Sequence, residues 1–159
     1  YVSTQPSLAH QYTCSKVCNA LQTWSDSTGL GFAFFAPGLI FADDDNAAPD
    51  VVWLSRERLR VAMGEDGKLH DAPELVVEVL SPDAANERRD RDAKLKLYSR
   101  RGVPEYWIVD GQQRLVEAYR RDGDVLRLVT TLSAHEQVQS PLLPGFSVQV
   151  NAFFLPDAL

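Results

Sequence analysis

Residues 73–82, Pro-Glu-Leu-Val-Val-Glu-Val-Leu-Ser-Pro, constrain this chain more than any other stretch. Leu75, Val76, Val77, Val79 and Leu80 form an apolar run with one carboxylate, Glu78, set inside it. A run this short, rich in β-branched residues and closed by Ser-Pro, reads as a strand buried on both faces. An ionised carboxylate in such a strand is strongly destabilising unless a positive group meets it. Whatever the chain folds into must therefore bring a cation to Glu78.

The elements around that strand are legible from local pattern. The spacing predicts an amphipathic helix over 7–24, with Cys14, Val17, Cys18, Leu21 and Trp24 on one stripe. His10, Cys14 and Cys18 share that face. Eight residues of helix span about 12 Å, too far for all three to hold one metal ion. The cysteines read as small core residues. Residues 32–41 hold two short strands around Pro37-Gly38, and Asp43, Asp44, Asp45 and Asn46 form a polar turn. The acids there are consecutive, which does not suit the alternating ligands of a calcium loop.

Pro49-Asp50-Val51-Val52-Trp53-Leu54 is a further apolar strand with a carboxylate at its head. Ser55 opens a short capped helix, and 63–71 is a loop. A second helix is expected over 86–101, with Asn86 as its N-cap and Gly102 as its stop. Strands follow at 103–110, 115–120 and 125–132, the last two joined at Asp122-Gly123. Tyr106 and Trp107 alternate on the first of these, one expected in the core and the other at a surface. A Pro-rich turn at 140–145, a strand at 146–150 and a short segment at 152–155 close the chain. The order is that of an α/β domain with a central mixed β-sheet flanked by helices.

Length and composition limit the function. The 159 residues suit one domain over 1–159, and 45% hydrophobic with 24% charged residues is ordinary globular content. The chain opens without Met inside what reads as structured sequence, so a preceding segment is expected. No apolar run reaches the length of a membrane span and no signal peptide is visible, which leaves no membrane partner. Two cysteines suggest a reducing compartment, and the cytoplasm is the expected location. A net charge of −6 does not fit a protein that coats nucleic acid, so any such contact must come from a local basic patch. Arg88, Arg89 and Arg91, in a mixed-charge run, are candidates for phosphate contacts.

Three polar residues stand where the pattern wants apolar ones: Asp50, Glu78 and Lys94. On the 86–101 helix, Lys94 shares a stripe with Leu97, Tyr98 and Arg101, with Asp90 one turn earlier. Lys96 falls on a polar face with Asp92, Arg89 and Arg100. Lys94 therefore points inward and Lys96 to water. Two carboxylates and an inward lysine can be a buried ion cluster with a structural role. They can equally be a hydrolytic site, in which carboxylate oxygens hold Mg²⁺ and the lysine orients or deprotonates a water or stabilises charge on phosphate oxygens.

The run of motifs resembles the PD-(D/E)XK nuclease superfamily, and within it the bacterial restriction-endonuclease-like group called "Uma-two". Pro49, Asp50, Pro73, Glu78, Ser81, Asp90, Lys94, Tyr98, Gly102, Glu105, Tyr106, Trp107 and Asp110 match its pattern, and the likeness runs from Ser7 and His10 to the Leu143-Pro-Gly turn. The resemblance implies a restriction-endonuclease-like core and DNA phosphodiester hydrolysis with Mg²⁺, for which Mn²⁺ can substitute. Asp50, Glu78 and the Val79 carbonyl would be metal ligands, and Asp50, Glu78 and Lys94 the catalytic residues. The superfamily's lysine normally sits two residues after the acid, where this chain has Leu80; in this group it has moved to the following helix. Glu74, about 13 Å from Glu78 along a strand, reads as peripheral. Cutting both strands of a duplex would suit a homodimer. The alternatives are a non-catalytic nucleic-acid-binding or assembly domain with a structural Asp/Glu/Lys cluster, and a hydrolase of another phosphoester.

Overall fold

Alternation of side chains decides how the central stretch is used. The expected strand forms as β5 (Leu75–Val79), with every residue buried. The computed structural model describes residues 7–41, 46–81 and 84–159, and leaves the side chains of 84–89 outside that description. The acidic turn at 43–45 and the side chains of Arg88 and Arg89 thus lie outside the described residues. β5 pairs in parallel with β6 (Glu105–Asp110) and antiparallel with β4 (Val51–Ser55). With β1 (Gly31–Phe35), β7 (Leu115–Asp122) and β8 (Val125–Leu132), they form a six-stranded mixed sheet ordered β1-β4-β5-β6-β7-β8.

Each face of the sheet has its own apolar layer. On one face, Val51, Trp53, Leu75, Val77, Trp107 and Val109 pack against Cys14, Val17 and Leu21 of α1 (Leu8–Thr28). Phe146 of β10 (Leu143–Gln149) and Phe153 of a 3₁₀ turn (Val150–Phe153) complete that layer. On the other face, Val52, Leu54, Val76, Tyr106 and Ile108 pack against Tyr98 of α3 (Ala84–Arg100). Period-2 alternation assigns odd residues of β5 to the α1 side and even ones, Glu78 among them, to the α3 side. α3 is the crossover that a parallel β5–β6 pair requires. The α/β architecture expected from the sequence, a central mixed β-sheet flanked by helices, is the one observed.

Several local expectations need correction. α3 begins at Ala84, so Asn86 lies inside the helix and does not cap it. Tyr106 and Trp107 are both buried, because layers cover both faces of β6. The turn expected at 140–145 is partly strand: β9 (Gln137–Ser140) pairs with β10, which starts at Leu143. Caps behave as their chemistry dictates: Ser55 accepts a bond from the Arg58 N–H and opens α2 (Arg56–Ala62), and Gly102 takes φ +83 after α3. Among the described residues, no helix is long and apolar enough to cross a membrane.

A second buried carboxylate, Glu105, is fully occupied by structural partners. It accepts bonds from Trp107 Nε1 at 2.6 Å and the Ser140 hydroxyl at 2.8 Å, and Arg120 Nε lies 3.3 Å away. It ties β6 to the β9–β10 hairpin. Glu105→Ala leaves two buried donors unpaired and is expected to lower unfolding free energy by about 2–3 kcal/mol. Urea denaturation checks this, and an unchanged midpoint would remove the tie.

Candidate active site

The candidate residues arrive at one end of the sheet from four elements. Asp50 precedes β4, Glu78 and Val79 end β5, Lys94 projects from the middle of α3, and His10 comes from the first turn of α1. The α1 start is set by Ser7, whose side chain accepts from the His10 N–H at 3.1 Å. Because β4 and β5 are adjacent, Asp50 and Glu78 become neighbours across 28 residues of sequence. The Asp50 N–H donates to Glu78 Oε1 at 3.4 Å, and the Val79 N–H donates to Asp50 Oδ2 at 2.8 Å.

Lys94 is where the helical stripe puts it. Its Nζ lies 3.2 Å from Glu78 Oε2 and 3.1 Å from Asp90 Oδ2, while Lys96 is exposed. The Tyr98 hydroxyl donates to the same Glu78 oxygen at 2.8 Å. Glu74 is bound elsewhere, accepting from the Ser55 N–H at 2.8 Å. Arg91 pairs with Glu117 and reaches the rim of the site.

Sequence reasoning set His10 aside, yet it reaches the site. Its Nε2 lies 3.1 Å from the Val79 carbonyl and 3.6 Å from Asp50 Oδ2. A carbonyl only accepts, so Nε2 carries the proton. Cys14, one turn on, places its Sγ 3.7 Å from His10 Nδ1 and 3.9 Å from Nε2. His10, Cys14 and Asp50 offer donor atoms that all lie within 4.8 Å of one another. Cys18, which shares the helical face, packs against the apolar layer below. The signal in the sequence was the i, i+4 pair; its remote third member, Asp50, could not be read from helix spacing.

The electrostatics of the two carboxylates diverge. Burial pushes the Glu78 carboxyl up to about 7, against the pull of Lys94 and with a further push from Asp50. Burial also acts on Asp50, but His10 and the Val79 N–H outweigh it and hold Asp50 below its ordinary value. The hydrogen bond to Asp50 raises His10, although burial opposes the rise. Burial would lower Lys94, but Glu78 and Asp90 together keep it charged and above its usual range. Tyr98 is held protonated by burial and by Glu78, as a hydrogen-bond donor must be.

Between these groups lies a cavity of about 140 Å³, lined by His10, Asp50, Glu78, Arg91, Lys94 and Tyr106 among others. The Tyr106 hydroxyl is buried there without a hydrogen-bond partner among the described residues. A larger cavity of about 340 Å³ adjoins it across His10 and Val79 and includes Arg114 and Phe154.

The Uma2 family, described as "Putative restriction endonuclease", matches residues 1–151. The chain belongs to the Uma2 family. That membership supports a nuclease. A crystal structure of a putative nuclease belonging to DUF820, from Anabaena variabilis ATCC 29413, shares the fold with a TM-score of 0.76. It is 18% identical, and the match covers 97% of this chain and 84% of that one. No curated protein matches the chain.

The donor set of this Uma2 chain fits a divalent cation. Two carboxylates are forced together at the end of β5, and one of them is pushed toward its protonated form. The His10 N–H lies between the Asp50 oxygen and the Val79 carbonyl, bonded or close to both. Two carboxylate oxygens and a carbonyl are the hard ligands that Mg²⁺ prefers, and Mg²⁺ keeps its remaining positions for water.

Proposed function

We propose that this chain is a Mg²⁺-dependent DNA endonuclease that hydrolyses phosphodiester bonds, with Mn²⁺ as a working substitute. Asp50, Glu78 and the Val79 carbonyl would hold the metal, and Asp50, Glu78 and Lys94 would carry the reaction. The observation that carries this reading is the convergence of Lys94 on Glu78 beside Asp50, at one cavity. A bound Mg²⁺ supplies Lewis-acid polarisation of a phosphate oxygen and a more acidic water.

The chain's own residues do the rest. The Val79 N–H orients Asp50, and the Tyr98 hydroxyl orients Glu78, so that neither carboxylate swings freely. Lys94 stays charged between Glu78 and Asp90, which suits it to orient a water and offset negative charge on phosphate oxygens rather than to remove a proton. Arg91, at the rim, would exchange its Glu117 partner for a neighbouring phosphate. A homodimer would present two such sites to a duplex.

The test is nicking of supercoiled plasmid in Mg²⁺ or Mn²⁺ by wild type and Asp50→Asn. Wild type is expected to nick, and EDTA or Asp50→Asn to abolish nicking and metal binding together. Metal binding at Asp50 without cleavage of any DNA would turn the reading toward another phosphoester or a structural cluster. Equal nicking by both proteins would place the activity outside this site.

A further inference from the structure

We propose that His10, Cys14 and Asp50 form a second binding mode for metal, selective for a thiophilic divalent cation of the Zn²⁺ and Co²⁺ class. The site shares Asp50 and the Val79 carbonyl with the place offered to Mg²⁺, so the two cations compete. The inference concerns binding alone and goes beyond the proposed hydrolysis.

Geometry carries it. Around a tetrahedral zinc-class ion, with bonds of about 2.0–2.3 Å, neighbouring nitrogen, oxygen and sulfur donors are separated by roughly 3.3–3.7 Å. His10 Nε2 lies 3.6 Å from Asp50 Oδ2 and 3.9 Å from Cys14 Sγ, and no separation in the trio exceeds 4.8 Å. Closure around one ion needs side-chain shifts of about an ångström. The Val79 carbonyl, 3.1 Å from the same nitrogen, is available as a fourth donor. His10 and Cys14 are one turn apart on a 21-residue helix, a spacing that presents two ligands from a rigid backbone.

The competing view is that Cys14 is an ordinary core residue. It does belong to the apolar layer with Val17 and Leu21. A core thiol, however, has no need of an imidazole nitrogen at 3.7 Å or of Asp50 beside it. Burial, Asp50 and Glu78 hold the thiol protonated, which argues against a nucleophile or redox centre. Coordination changes that: the Cys14 proton leaves to solvent as the metal–sulfur bond forms, and His10 gives up its Nε2 proton to make place for the metal and binds as the neutral ring protonated on Nδ1. Imidazole and thiolate ligands select zinc-class metals, whereas Mg²⁺ gains little from either.

The probe is Co²⁺ added to the metal-free full chain, followed by absorption spectroscopy. Wild type and Cys18→Ser are expected to show a near-ultraviolet thiolate-to-cobalt band that Zn²⁺ removes. Cys14→Ser is expected to lose the band and to bind Co²⁺ at least about 10-fold more weakly. Asp50→Asn, which leaves the thiol in place, is expected to weaken binding likewise, with melting in EDTA confirming that each variant is folded. Absence of the band in wild type, or its persistence in Cys14→Ser, overturns the proposal. Plasmid nicking in Mn²⁺ is scored on the same preparations. A band without nicking keeps this site and removes the nuclease reading, and nicking without a band does the reverse.

Discussion

Lys94→Ala is expected to slow metal-supported nicking of supercoiled DNA by about 10²–10³-fold, the usual cost of removing one group that stabilises developing charge. Lys96→Ala, two residues away, is expected to stay within about two-fold of wild type, as for an exposed substitution. The contrast follows from helix geometry. Lys94 is held at 3.2 Å from Glu78 Oε2 and at 3.1 Å from Asp90, whereas Lys96 faces solvent. Losing Lys94 also removes the cation that favours ionised Glu78, so residual activity should rise only at higher pH than in wild type. That pH displacement separates a direct role from simple misfolding, and thermal melts of both variants control for stability. Equal rates for Lys94→Ala and wild type would place the chemistry elsewhere.

Local periodicity made much of this molecule legible. The strand at β5, the inward turn of Lys94 and the stop at Gly102 each depend on residues within a turn or two, and each stands where expected. The residue pattern and the resemblance both bring Asp50 and Glu78 together, and strand pairing realises it. What escaped were contacts between remote elements. His10 meets Asp50 and Val79 only because α1 packs across the opposite face from α3 and both reach the same end of the sheet. Tyr98 was read as inward, but its bond to Glu78 depends on how α3 crosses β5. The double burial of Tyr106 and Trp107 required knowing that the β9–β10 hairpin covers a face that α3 does not. A sequence pattern states which side of an element is apolar, and packing decides what lies there.

Glu78→Gln separates what the site does from what it costs the fold. The variant is expected to lose metal binding and nicking, because a neutral amide neither ligates Mg²⁺ well nor balances Lys94. In EDTA at pH 8, the same variant is expected to be as stable as wild type or more so. The sign follows from linkage. Burial raises the Glu78 carboxyl from 4.5 to about 7, so the native state binds its proton more tightly than the unfolded chain does. The stability associated with that proton is present below the unfolded value and is lost as pH rises through about 7. For a carboxyl moved that far, the loss is on the order of 3 kcal/mol. His10, also raised, adds to the decline above its ordinary value of 6.5. Asp50 is lowered, so its contribution is lost only in acid, and Lys94 is raised, so its contribution is lost only in strong base. Metal-free wild type should therefore weaken between pH 5 and pH 8. Glu78→Gln should show a shallower decline, since the amide still accepts the Tyr98 hydroxyl bond and Lys94 keeps Asp90. Mg²⁺ or Mn²⁺ should restore the wild type at pH 8 and leave the variant unchanged. Melting curves across that range, with and without metal, decide it. Parallel pH profiles for the two proteins, or equal stabilisation of both by metal, would mean that Glu78 is neither the strained carboxylate nor the ligand.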